Sequence, residues 1–199
     1  MKIKQYKTAR RLGARIFPKT QNPKFILNKR VQRARRPSPT TEYGLQLIEK
    51  QKVRYTYNLN ERQFAQYVKK ATGKKGINPV GYLYQTLEQR LDNVVFRLGF
   101  ASTRPLARQM VSHGHITVNG RRVNIPSFRV SMDDRIAIRK ESKDKNFSSL
   151  SKSPKEYTPP VWLSIDIDKR EGVVVSTPVS DKSSEDLFNL TSVLEFYSR

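Results

Sequence analysis

Between Asn60 and Val111, apolar residues return every three or four positions, the spacing that lines one side of an α-helix. Phe64, Tyr67, Val68 and Ala71 form one such stripe. Asn60 followed by Gln63 has capping spacing at its start, and Gly73 supplies a stop. Asn78-Pro79 opens a longer helix through Leu83, Leu87, Leu91, Val94, Val95 and Leu98, which Gly99 ends. Thr103 caps the next helix, with Pro105 tolerated in its first turn and Leu106, Met110 and Val111 as its buried stripe. So short a link between the two predicts an angled helix pair. Upstream, Thr41 starts a shorter helix with Leu45 and Ile48 on one face and Gln51-Lys52 near its end.

After these helices the period falls to two. Ile116 and Val118 point to one side of a strand, Asn119-Gly120 is a hairpin signal, and Val123 and Ile125 belong to the return strand. Pro126 interrupts the pattern, and Ile136 with Ile138 forms a third strand. Helix, helix and small sheet make a compact unit from about residue 88 to 140, a module with a surface and little room for a pocket. Ser148 to Pro160 reads as a linker or an extended wrap. Trp162-Leu163, Ile165 and Ile167, then Val173-Val174-Val175, and the closing run Val193 to Tyr197 read as short strands, with a turn or helix near Asp186 to Leu190. An end this apolar is expected to be buried. The fold class is α+β.

Charge changes the picture from fold to partner. The 199 residues carry 39 Lys and Arg against 17 Asp and Glu, a formal +22. Such a surface repels itself unless a polyanion neutralises it, and each neutralised phosphate also releases counterions. Residues 1–52 hold 15 basic and 2 acidic side chains, residues 53–149 hold 18 and 7, and residues 150–199 hold 6 and 8. The grip on a polyanion therefore belongs to the first 149 residues, while the tail packs on the protein itself or meets a basic partner. The first forty residues show little periodicity and few large apolar side chains, and are expected to order against RNA. No window approaches the roughly 20 apolar residues of a membrane span. The Arg-rich start could serve as a transit peptide, but Gly13, Pro18 and Pro23 interrupt any amphipathic helix there. With no cysteine there is no disulfide, thiolate nucleophile or cysteine zinc site, and two histidines one residue apart make a poor metal site. No cofactor and no homo-oligomer are expected.

The helix pair offers a rigid element that can aim donors at phosphate. Arg90 and Arg97 are seven apart on the first helix, and Arg104 and Arg108 four apart on the second. His113, His115, Arg121 and Arg122 surround the hairpin, and Lys69, Lys70, Lys74 and Lys75 cluster at the end of the preceding helix. Arg90 could instead pair with Glu88 or Asp92, His115 could be a structural histidine at the strand start, and Arg129 a loop charge. An enzyme has little to stand on. Ser102, Asp133 and His115 can be imagined as a triad but have no nucleophile elbow, and Gly73-Lys74-Lys75-Gly76 lacks the spacing of a nucleotide loop.

The run LEQRLDNVVFRLGFASTRPLARQMVSHGHITVNGRRVNIPS, Leu87 to Ser127, strongly resembles the RNA-binding module of small-subunit ribosomal protein four. That module also occurs in pseudouridine synthases, tyrosyl-tRNA synthetases and a heat-shock RNA-binding protein. The flanks narrow the choice, because EYGLQLIEKQKVRYTYNLNERQF, Glu42 to Phe64, and the ending Val193 to Arg199 resemble the rest of that ribosomal family. The resemblance implies a basic extension (1–40), a helical domain (41–86), the module (87–145), a linker (146–160) and a C-terminal segment (161–199) that packs back on the helical domain. It implies a structural constituent of the small ribosomal subunit that binds a multi-helix junction in the 5′ domain of small-subunit rRNA. Members help assembly and translational accuracy, lying against small-subunit ribosomal protein five and near incoming mRNA. The alternative is a free RNA-binding protein acting on tRNA or ribosomal particles.

Carried onto this sequence, the candidate RNA surface is Arg10, Arg11, Arg33, Arg35, Arg36, Lys52, Arg54, Lys69, Lys70, Lys74, Lys75, Arg90, Arg97, Arg104, Arg108, His113, His115, Arg121, Arg122 and Arg129. Among these, Arg33, Arg35, Arg36 and Lys52 would lie close to mRNA or rRNA at the mRNA entry side. Some members bear a four-cysteine zinc knuckle near the start; here Tyr6 to Arg11 contains no cysteine, as in the zinc-free form. FRLGFASTRPLARQMVSHGHI and PPVWLSIDID resemble plastid-encoded members, which implies a ribosome in the plastid stroma, with a bacterial cytoplasm as the other setting.

Overall fold

A computed structural model describes residues 4–22, 24–25, 41–142, 158–179 and 188–198. Within them lie α1 (Gln5–Leu12), α2 (Glu42–Thr56), α3 (Glu61–Thr72), α4 (Pro79–Glu88), α5 (Leu91–Arg97) and α6 (Arg104–Ser112). These are followed by β1 (Ile116–Val118), β2 (Arg121–Arg122), β3 (Arg135–Ile138), β4 (Leu163–Asp166), β5 (Glu171–Val174) and α7 (Leu190–Ser198). The chain is α+β and divides into two units, Met1–Leu83 with Ser180–Arg199, and Tyr84–Val179.

The first unit is helical. Its start is more organised than expected: Ala9 of α1, Phe17 and Phe25 are buried together, with Ile16 and Tyr55 packed against them. The Thr20 hydroxyl closes the intervening turn by donating to the Phe17 carbonyl at 2.7 Å. The lack of long periodicity concealed this cluster, because its three aromatics are scattered across the sequence and meet only when the chain turns. Thr41 caps α2 by accepting from the Gly44 N–H at 3.2 Å, as its sequence predicts. The helix continues past Gln51-Lys52 to Thr56, and its buried face is Gln46, Lys50 and Val53, while Leu45 is 55% exposed. In α3, Asn60 accepts from the Gln63 N–H at 2.7 Å, and Phe64, Val68 and Ala71 are buried.

The closing apolar run is α7 and not a strand. Leu190, Val193 and Tyr197 are spaced three and four apart, and the Asn189 side chain accepts from the Ser192 N–H at 3.2 Å at the helix start. The helix packs on α2 and α3. Tyr197 meets Phe64 edge-on at 6.0 Å, and Gln46 donates to Glu195 at 3.2 Å. Lys50, nearly buried, is neutralised by Glu61 at 2.8 Å and lies 4.5 Å from the Phe196 ring centroid.

The second unit packs α5 and α6 on a sheet of order β2-β1-β3-β5-β4, with every adjacent pair antiparallel. Leu91, Val94, Val95, Leu98 and Phe100 from the α5 region meet Ala107, Met110 and Val111 of α6 over Ile116, Val118, Ile136 and Ile138. Each of the larger of these buried side chains contributes about 1.5–3 kcal/mol relative to exposure. Asn119 and Gly120 both adopt left-handed φ, 50° and 78°, the type I′ pattern that a two-residue hairpin requires. The return strand is shorter than its apolar residues suggest. β2 is only Arg121–Arg122, and Ile125 is exposed.

Residues 161–179 do not join the helical unit. β5 pairs with β3, placing Gly172 opposite Ile136, and Trp162, Leu163 and Val174 enter the module's core. The reason is that β3 would otherwise expose an unpaired edge, which β5 satisfies and β4 extends. Among the described residues of the tail, 188–198 belong to the first unit. The linker expected at 146–160 lies outside the described residues except for its last three positions, as do Asp186 and Leu187, while Asn189 and Leu190 open α7.

Candidate nucleic-acid interface

The long helix expected from Asn78 to Leu98 is broken at Gln89–Arg90. Arg90 has extended backbone, φ −68° and ψ 135°, and caps α5. A loop from the far side of the hairpin docks along the break. The Val130 N–H donates to the Gln89 carbonyl at 2.9 Å, Leu91 N–H to the Phe128 carbonyl at 2.8 Å, and Asp92 N–H to the Pro126 carbonyl at 3.1 Å. These bonds satisfy main-chain groups that a continuous helix would have paired internally, so periodicity alone gives no sign of the break.

The break brings the polar run Glu88, Gln89, Arg90, Asp92 and Asn93 into the interior, each at most 5% exposed. Burial on that scale demands partners, and the partners are arginines. Arg90 itself is not on the surface: its guanidinium donates to both Asp92 oxygens, at 3.0 and 2.6 Å. It therefore does not share an outward face with Arg97, and the pairing with Asp92 is the one that holds.

Four other arginines reach in from more exposed positions. Arg97 donates to both Glu88 oxygens at 3.0 and 2.9 Å. Arg104 donates through Nε to the Asn93 side-chain oxygen at 2.8 Å, and its guanidinium lies 4.4 Å from the Phe96 ring centroid. Arg108 stands 3.9 Å from Asp92, and Arg129 donates through Nε to the Gln89 side chain at 2.8 Å. Asn93 also donates to Glu88 at 2.9 Å. One short buried segment thus holds Arg97, Arg104 and Arg129 by hydrogen bonds, with Arg108 drawn more loosely towards Asp92, and a planar fork held in place loses less freedom when it meets a phosphate.

Around the hairpin, His113, Arg121 and Arg122 are exposed. Arg122 donates to the His113 carbonyl at 3.2 Å and lies across Gly114, where a Cβ would overlap its guanidinium. His115 Nδ1 is 2.9 Å from the Ser142 hydroxyl, which ties the histidine to the protein at the strand start.

Within the first unit, Lys69, Lys70, Lys74 and Lys75 are exposed at the end of α3 and beyond it, and Lys74 sits 4.3 Å from the Tyr82 ring centroid. Arg10 and Arg11 are exposed on α1, Arg10 lying 5.3 Å from the Phe25 ring centroid. Lys52 pairs with Glu49 at 2.7 Å, and Arg54 is 3.5 Å from Glu61 while stacking on Tyr55. Arg33, Arg35 and Arg36 lie outside the described residues. Among the described residues, no three His, Asp or Glu side chains are grouped to hold a metal. No helix there is long and apolar enough to cross a membrane.

Sequence reasoning missed Gln89 and Asn93 altogether and read Glu88 and Asp92 only as neighbours of Arg90. The available signal was five polar residues set between Leu87 and Val94, within a stretch whose flanks are core.

Family models match the whole first half and the module. Residues 1–88 fit the Ribosomal protein S4/S9 N-terminal domain and residues 89–136 the S4 domain. Relatives named small ribosomal subunit protein uS4 are 42% identical in Chlorobium limicola, over 97% of this chain and 96% of the relative, and 44% identical in Fusobacterium nucleatum, over 97% and 95%. One from Roseiflexus sp. is 45% identical over 97% and 96%. With both domains matched in order and identity above two-fifths across nearly its full length, the chain belongs to the uS4 family of small ribosomal subunit proteins.

Proposed function

We propose that this chain is an rRNA-binding structural constituent of the small ribosomal subunit. The observation that carries the reading is the set of four arginines on and beside α5 and α6, held by buried Glu88, Gln89, Asp92 and Asn93. Flexible surface lysines would suffice for loose attraction to RNA; donors fixed from beneath suit a structured RNA whose phosphates are themselves fixed. The lysines of α3 and the arginines of α1 supply further charge within the first unit. The RNA segment proposed is a multi-helix junction in the 5′ domain of small-subunit rRNA, with roles in subunit assembly and in translational accuracy. Small-subunit ribosomal protein five is the proposed protein neighbour, and Arg33, Arg35, Arg36 and Lys52 are proposed to lie near incoming mRNA. The plastid stroma is the proposed compartment, resting on the runs FRLGFASTRPLARQMVSHGHI and PPVWLSIDID.

The test is crosslinking in native extract, with sequencing of the attached RNA and sedimentation of the complexes. Crosslinks in the 5′ domain, within particles that keep the protein at high salt, are the expected result. Crosslinks to tRNA, with the protein sedimenting free, would replace this reading with that of a non-ribosomal RNA-binding protein.

A further inference from the structure

The helix pair covers one face of the sheet; on the other, the described residues leave a groove. Ile116, Val118, Ile136 and Ile138 point into the core, so the residues alternating with them, Thr117 on β1 and Arg135 and Ala137 on β3, point away from it. Thr117 and Ala137 are paired neighbours, and both are small. They floor a shallow groove of about 520 Å³ whose walls include Arg122, Arg135, Arg139 and Lys140. That volume falls within the usual range for a small-ligand site, roughly 300–1,000 Å³.

The walls differ in sign. Along one row of the sheet, Arg122 pairs with Thr117, Thr117 with Ala137, Ala137 with Glu171 and Glu171 with Asp166. Along that row the side chains change from Arg122 at the hairpin to Glu171 on β5, beyond which Asp166 is paired with Lys169 at 3.3 Å, and Glu141 also lines the groove beside Arg139. Arg139 is steadied by Glu141 at 2.7 Å, while Arg135 and Lys140 are exposed. A uniformly basic groove would attract any polyanion. One with a carboxylate opposite the basic wall suits a group that carries an anion at one end and hydrogen-bond donors at the other.

We propose that this groove seats one nucleotide of RNA, its phosphate at Arg135, Arg139 and Lys140 and its ribose hydroxyl or base amine donating to Glu171. This rests on the reading of the chain as an rRNA-binding protein and adds a second RNA-contacting face to the module, across the sheet from the helix pair. The module then bridges two RNA segments.

The chain contains no cysteine, so Ala137→Cys and Gln109→Cys each create a unique thiol; Gln109 is exposed on α6 and serves as the helix-face control. Each full-length variant, carrying a short photoactivatable thiol label, is bound to full-length small-subunit rRNA and irradiated. RNA crosslinks from both positions, at different segments, are expected. Crosslinks from Gln109→Cys alone would overturn the groove proposal and leave the reading of the chain intact. Crosslinks from neither would overturn that reading itself. A label at 137 that attached to protein in assembled subunits, and not to RNA, would make the groove a protein contact and overturn the proposal. In parallel, Arg135→Glu with Lys140→Glu is expected to lower the slope of log affinity against log salt by about 2, two phosphate contacts' worth, at unchanged melting temperature. An unchanged slope would count against the assignment.

Discussion

Arg90 and Arg108 are both arginines of the module, and their surroundings give them opposite roles. Arg90 and Asp92 form a pair in which the side chains are 2% and 7% exposed, so removing one partner strands a charge in the core. Arg90→Ala is expected to destabilise the second unit by roughly 3–5 kcal/mol, the usual cost of breaking such a pair. RNA affinity measured below the melting transition should stay near wild type. Urea unfolding followed by the fluorescence of Trp162, the one tryptophan and itself in the module's core, reports the first quantity, and filter binding the second. A variant of ordinary stability with weakened binding would return Arg90 to the surface role that its sequence position suggests. Arg108 reverses the pattern. Its side chain is 36% exposed and its approach to Asp92 is loose at 3.9 Å. Arg108→Ala should lower RNA affinity by roughly 1–3 kcal/mol while changing stability by less than about 1 kcal/mol. The identity of the basic residues was legible in the sequence, but which of them face outward was not. That depends on the break at Gln89–Arg90, which is created by a loop forty residues away.

Elements show the same division between local signals and distant partners. The caps at Thr41, Asn60 and Thr103 are local, and each side chain accepts the N–H its sequence predicts, although Gln63 does not return the bond that would complete a capping box at Asn60. The end of the chain depends on context, since Val193 to Tyr197 can alternate as a strand or wind as a helix, and α2 and α3 select the helix by offering Phe64 and Lys50 as partners. Glu61 ties these helices together, bonded to Lys50 at 2.8 Å and to the Tyr197 hydroxyl at 2.7 Å. Partial burial works to raise its pKa, but the Lys50 and Tyr197 bonds prevail and hold the carboxyl below its ordinary 4.5. Burial and the same carboxylate push the Tyr197 hydroxyl well above the usual phenol range. For a depressed carboxyl the stabilisation is complete above the unfolded value and fades as pH falls through the folded one. The stability difference between wild type and Glu61→Gln should therefore be constant near neutrality, shrink below about pH 4.5 and vanish at lower pH. Urea titrations at several pH values check this; a difference that grew on acidification would contradict it. In the second unit, a Cβ on Gly172 would overlap the Leu98 side chain, the closeness that lets α5 lie on β5. Gly172→Ala should lower the Trp162-detected stability by about 1–3 kcal/mol, as overpacking does.

At the scale of the molecule, the α+β class, the second helix of the pair and the hairpin were legible from their periods, while the break in the first helix and the addition of β5 and β4 to the sheet were not. The assignment of the tail was not, because residues 161–179 and 188–198 are similarly apolar and each needs a partner that the sequence does not name. The open edge of β3 takes the first, and the groove of α2 and α3 takes the second. The outcome is a first unit made from both ends of the chain, with the second unit inserted as one continuous stretch. That topology has a measurable consequence. Deleting residues 188–199 removes Phe188 from Tyr57, Tyr197 from Phe64 and Glu61, and the Phe196 ring from Lys50, exposing an apolar face and leaving Lys50 and Glu61 with fewer partners. All of these interactions belong to the first unit, while the core that Trp162 joins is built, among the described residues, from residues 91–174. Hydrogen exchange should show amides of α2 and α3 losing most of their protection in the truncated chain, with those of α5, α6 and β3 retaining theirs and Trp162 emission unchanged. Loss of protection in both units together would mean that the second unit depends on the first for its stability, and that the insertion does not fold as a unit of its own.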